Sequence, residues 1–194
     1  MEPALLQELL DFIAAPAASD DAFNAMALRL FQHQFTHNLP LQKVCQQRGR
    51  TPRTVHDWQN IPAVPINAFK DLTLSAHPAT QCQRVFMTSG TTRGDVRGRH
   101  YHPHLQVYDL SMQRNFQRHI MGQAQRTRVM VFFPDEDLMP NSSLAHYLAL
   151  ARTTFGTPSS RHYINAQGLQ LQSTILDLQQ ACAQQEPVLL MGAS

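Results

Sequence analysis

The sequence predicts an α/β fold, with a helical N-terminal segment followed by a mixed sheet flanked by helices. Three observations predict it. Apolar residues recur at helical spacing up to Gly49, and beyond Gln81 short β-branched and aromatic runs alternate with helical stretches. Between them, Pro52, Pro62, Pro65 and Pro78 break regular structure. The expected division is residues 1–80, helices plus a proline-rich tether, and residues 81–194, an α/β portion continuous with it.

Leu5, Leu6, Leu9, Leu10 and Ile13 form one helical stripe. A second helix is expected from Ser19, with Asp20 and Asp21 in its first turn, where anionic side chains suit the helix dipole. A third runs from about Leu41 and stops at Gly49. The apolar residues in Ile61-Pro62-Ala63-Val64-Pro65 predict a tether packed against the body. Strands are expected at Val85 to Met87, Arg99 to His102, Arg128 to Phe133, His162 to Ile164 and Val188 to Met191. Helices are expected through Leu105 to Ile120, after a cap at Asn141 or Ser142, and through Leu171, Ile175 and Leu178. The chain stops on an apolar strand, and the expectation is a longer protein of which this is part.

Composition narrows the function. A net charge of +2 is too small to point to nucleic acid, and the arginines carry no interleaved aromatics. Lys43 and Lys70 apart, the 16 basic residues are arginines, whose planar fork suits phosphate and carboxylate oxygens. Cys45, Cys82 and Cys182 form no C-x-x-C pair, which argues against a disulfide framework or a cysteine zinc site. No apolar run approaches the roughly 20 residues of a membrane helix, and the N-terminus lacks a signal-peptide pattern. The expected compartment is the cytoplasm.

The stretch that carries chemistry is Thr88-Ser89-Gly90-Thr91-Thr92-Arg93-Gly94. Its glycines let backbone N–H groups turn toward phosphate, its hydroxyls add donors, and Arg93, Arg97 and Arg99 add positive charge. It is neither a Walker A loop nor G-x-G-x-x-G. On composition alone the same residues suit a polar hairpin turn.

This string resembles the phosphate loop of the adenylate-forming superfamily of acyl-CoA synthetases, adenylation domains and luciferases. Trp58-x-x-Ile61-Pro62-x-x-Pro65-x-x-x-Phe69-Lys70 and Asn141-Ser142-Ser143-Leu144 are similar, more narrowly, to the acyl-protein synthetase branch. That branch includes the fatty-acid-activating component of bacterial luminescence. The resemblance runs from about Trp58 onward. It implies part of the large N-terminal domain of an adenylate-forming enzyme, and an AMP-forming acid–thiol ligase that uses ATP and Mg2+. A carboxylic acid, fatty or aliphatic, would become an acyl adenylate and pass to a protein cysteine or coenzyme A. Thr88, Ser89, Gly90, Thr91, Thr92, Arg93 and Gly94 would hold the ATP phosphates. Arg93 stands where relatives carry glycine, and the adenine-binding, ribose-binding and catalytic-lysine motifs lie further downstream in relatives. The chain is therefore expected to be an N-terminal portion, inactive alone. The alternative is a non-catalytic α/β module that binds a nucleotide or anion.

His146 lies near the place where relatives put a His or aromatic beside the acyl pocket, and is the catalytic candidate against the alternative of a histidine on a helix surface. Asp135, Glu136 and Asp137 read as a solvated loop, with a magnesium contact through water as the alternative, and Cys182 as a helix position rather than an acyl acceptor. His33 and His37 are four apart, and His100, His102 and His104 alternate. Both patterns read as polar surfaces rather than metal sites, because H-E-x-x-H is absent and Pro103 interrupts the strand.

Overall fold

The computed structural model describes residues 1–88 and 96–193. They form two compact units, Met1–Leu110 and Ser111–Ser194.

In the first unit α1 spans Pro3–Ala14 and α2 spans Asp20–His37. The Ala22 N–H donates to the Ser19 hydroxyl at 3.2 Å, which satisfies one donor of the first turn of α2. Asn38 ends α2 and caps α3, Leu39–Gln47, by accepting from the Leu41 N–H at 3.4 Å. The third helix thus starts two residues before Leu41, because Pro40 needs no donor partner in a first turn. Phe31, Cys45 and Val55 make a buried cluster with Leu28, Phe35, Leu41 and Ile61 against it. The start of the proline-rich stretch is therefore packed on the helices, as its apolar residues predict. A single helical turn, α4, follows at Ala68–Asp71. β1, Arg84–Met87, pairs antiparallel with β2, Arg99–His102, in the register Arg84 to His102 and Met87 to Arg99. Helix α5, Leu105–Phe116, runs on from β2 across the unit boundary.

The second unit is built on β3, Arg128–Phe132, the most buried strand. Helix α6, Ser143–Phe155, leads from it to β4, Arg161–His162. A small hairpin of β5, Ile164–Asn165, and β6, Gly168–Leu169, precedes α7, Leu171–Ala183, and β7, Val188–Gly192. The strand order is β4-β3-β7, all parallel. Val129 and Val131 pack with Leu148, Leu144 and Tyr147 of α6. Because side chains alternate across a strand, Arg128 and Met130 point to the opposite face, where Arg128 meets Asp177 of α7. The two helices therefore cover opposite faces, as two right-handed crossovers in opposite directions require.

Two details depart from the sequence pattern. The strands form separate small sheets among the described residues instead of one mixed sheet. Helix α7 turns Thr174, Asp177 and Ala181 inward and leaves Leu171, Ile175 and Leu178 exposed, so its apolar stripe is not its buried face. The buried arginine on β3 explains the choice, since it requires a carboxylate opposite it.

Candidate functional site

Of the expected phosphate loop, Thr88 is described, and residues 89–94 lie outside the described residues. The two strands that flank this stretch are fixed. Beyond the β1–β2 ladder, the Thr88 N–H donates to the Gly98 carbonyl at 3.0 Å, and the Gly98 N–H donates to the Thr88 hydroxyl at 3.0 Å. The Thr88 side chain therefore does the work of one further ladder bond, holding residues 88 and 98 together. A Cβ on Gly98 would lie 3.2 Å from the Thr88 methyl and 3.6 Å from Phe69, so the glycine permits the approach.

His146 lies one turn into α6, in the second unit. Ser142 caps that helix by accepting from the Ala145 N–H at 3.1 Å. His146 is buried, at 8% exposure, and its Nδ1 is 2.8 Å from Oε1 of Glu136. Glu136 belongs to the β3–α6 connection, where the Asp135 carboxylate accepts from the Leu138 N–H at 3.2 Å and its carbonyl from the Met139 N–H at 3.0 Å. The expected helix-surface alternative does not hold for His146, nor a purely solvated loop for Glu136. A carboxylate oxygen accepts, so Nδ1 carries the donated hydrogen, and this bond orients the ring.

The topology adds weight to this place. β3 connects to β4 on one side, and β4 connects onward to β7 on the other, so the two connections diverge from the carboxyl ends of β3 and β4. Open α/β sheets bind ligands at such a switch point, outside the carboxyl ends of the strands. The Glu136–His146 pair stands on the β3 side of it. His162, at the carboxyl end of β4, donates from Nδ1 to the Phe133 carbonyl at 3.0 Å, and its Nε2 is buried without a hydrogen-bond partner. Sequence reasoning missed Glu136 and His162, and the signal that could have found them was their position just past two predicted strands.

The opposite end of this sheet is also polar. Arg128, 1% exposed, pairs with Asp177 at 3.0 Å and Glu186 at 3.2 Å. Asp177 also accepts from Arg161 and from the Tyr163 hydroxyl, the latter at 2.7 Å. Burial pushes the Asp177 carboxyl up, but the Tyr163 and Arg161 hydrogen bonds and the charges of Arg161 and Arg128 outweigh it and hold it below the usual range. A cavity of about 280 Å³ beside Arg128, Ser160, Arg161 and Asp177 lies at the amino ends of the strands, away from the switch point. With each of its charges matched, this network reads as structural.

Thr88 belongs to the first unit and His146 to the second, and each is placed within its own unit. Cys182 is exposed on α7, and Cys45 is buried in the first core. Among the described residues, no three His, Cys, Asp or Glu side chains are grouped to hold a metal ion, and no helix is long and apolar enough to cross a membrane. No protein-family model, curated protein or solved structure matches the chain.

Proposed function

We propose that the chain is an N-terminal portion of an ATP-dependent, AMP-forming ligase that activates a carboxylic acid for transfer to a thiol. The observation that carries the reading is the doubly bonded Thr88–Gly98 pair, which joins the two strands on either side of the sequence Ser89-Gly90-Thr91-Thr92-Arg93-Gly94. A stretch rich in hydroxyls, glycine and arginine, tied at its base to two strands, suits the β- and γ-phosphates of ATP as they leave. Mg2+ accompanies the nucleotide and offsets phosphate charge.

The α/β architecture is, on this reading, part of the large N-terminal domain of an adenylate-forming enzyme, with a fatty or other aliphatic acid as substrate. Its thiol acceptor is a protein cysteine or coenzyme A. His146, oriented by Glu136, is the group we assign to the acyl side of the reaction.

The test is carboxylate-dependent exchange of pyrophosphate into ATP, run on the protein from its full reading frame across a panel of acids. Exchange with an aliphatic acid, and weakened ATP binding in Gly90→Val, are the expected results. ATP binding with no exchange for any acid would instead favour the non-catalytic nucleotide-binding module.

A further inference from the structure

The switch point holds a second imidazole, that of His162, which the proposed reaction leaves unused. Paired residues of a parallel ladder send their side chains to the same face of the sheet. His162 is paired with Val131, and Val131 packs on the α6 side. Its chain neighbours Arg161 and Tyr163 both bond Asp177 of α7, on the opposite face. His162 therefore lies on the α6 face, at the carboxyl end of β4. At that same end of the sheet α6 begins, with its cap at Ser142 and His146 one turn on.

The hydrogen bond of the ring decides which nitrogen is bare. A carbonyl oxygen only accepts, so the 3.0 Å contact with Phe133 places a hydrogen on Nδ1. In the neutral ring Nε2 then carries a lone pair, and that atom is buried without a hydrogen-bond partner. A buried polar atom left unmatched destabilises a fold, so this one calls for a reason. Phe133, whose carbonyl holds the ring, packs in one apolar cluster with Val131 of β3 and with Leu144 and Tyr147 of α6. One lone pair beside such a cluster suits a ligand with a single hydrogen-bonding head and a hydrocarbon body.

We infer that His162 is a substrate-binding residue, whose Nε2 holds the carboxyl head of an aliphatic acid between the carboxyl ends of β3 and β4. The choice of an acid rests on the ligase reading; the place and the lone pair do not. One proton lies between Nε2 and a carboxyl oxygen, so an acid that is ionised in water takes up one proton as it binds, and no covalent bond of the acid breaks. An alkylammonium would also donate, but its remaining hydrogens would meet the apolar cluster unpaired. Other titratable groups leave this proton to His162. Glu136 is engaged by His146, Asp135 accepts from the Leu138 N–H, and burial pushes the Tyr147 hydroxyl up. Asp137 lies further along the same connection, and Arg152 stands in the last turn of α6, toward the opposite end of the strands. Arg128, Arg161 and Asp177 belong to the other face.

Calorimetry on the protein from its full reading frame tests this, with octanoate at pH 8 in two buffers of different ionisation heat. Free imidazole is neutral and a free carboxylic acid is ionised there, so about one proton should be taken up per octanoate bound. His162→Asn keeps a donor for the Phe133 carbonyl and puts nothing at the place of Nε2. Its dissociation constant for octanoate should rise about 10–100-fold, and the proton uptake should vanish. Octanoate that fails to bind, binds without proton uptake, or binds equally well to His162→Asn would overturn the inference. If the variant fails to fold, the wild-type proton uptake decides alone. Pyrophosphate exchange into ATP separates the two readings. Binding with proton uptake but no exchange for any acid upholds His162 and removes the ligase. Exchange in which His162→Asn keeps the wild-type KM for octanoate removes His162 and keeps the ligase.

Discussion

Nδ1 of His146 and Oε1 of Glu136 lie 2.8 Å apart, joining the first turn of α6 to the connection that leads into it. The pair orients the imidazole past the carboxyl end of β3. A histidine serving only to pack the helix would not need a carboxylate.

If this imidazole moves a proton in the proposed reaction, His146→Ala should lower carboxylate-dependent exchange by about 10²–10⁴-fold. Glu136→Gln should lower it less, because the amide still bonds the ring but no longer enforces the tautomer. Activity in both variants equal to wild type, with their unfolding midpoints also unchanged, would remove the pair from the mechanism.

Arg128→Met should destabilise the second unit by roughly 3 kcal/mol, because it takes the buried guanidinium away from Asp177, which keeps Arg161 and Tyr163, and from Glu186. Urea unfolding measures it. The double variant Arg128→Met with Asp177→Asn should cost less than the sum of the single changes, since the second removes the charge that the first exposes.

The same carboxylate sets an acid limit. Asp177 is held below its ordinary 3.8 in the fold, so the unfolded chain binds its proton more readily. The stabilisation is complete above about pH 4 and declines as pH falls through the lowered folded value. Melting temperatures between pH 5 and 2.5 should show this fall, and it should be shallower in Asp177→Asn.

Two glycines should respond to alanine for different reasons. At Gly156 a Cβ would lie 2.2 Å from the Arg152 carbonyl oxygen and 2.7 Å from the Ser160 hydroxyl. The nearest of these is backbone of the last turn of α6, which cannot swing aside as a side chain can, so a loss of about 1–3 kcal/mol is expected. Gly49 has φ +62 and open space around it, so its alanine should cost about 1 kcal/mol from backbone strain alone. Thermal melts that show Gly49→Ala to be the more damaging change would contradict this account.

Much of the fold was legible because it rests on local rules. Ser19 and Ser142 cap their helices as their short hydroxyl side chains allow, and the Val129–Val131 run forms the buried strand. What escaped depends on partners far along the chain. Periodicity put Leu171, Ile175 and Leu178 inside, but Arg128, more than 40 residues earlier, drew the Asp177 face inward. The site was legible in part for the same reason. His146 stood out through the resemblance, at a position just inside a helix after a strand and loop, whereas Glu136 looked like one of three solvated acids until the turn at Asp135 aimed it at the ring.

The central place of β3 also constrains how the second unit comes into being. Its partners begin at Arg161 and Val188, and the Thr127 hydroxyl bonds the Pro187 carbonyl 60 residues on. During synthesis the Val129-Met130-Val131-Phe132 segment therefore waits, unpaired and apolar, while the rest of the sheet is still being translated. Arg126 and Arg128 stand directly before it, and charges flanking such a segment discourage premature association between nascent chains. The arginine that ends up buried at the foot of the sheet thus begins as the charge that keeps the strand soluble.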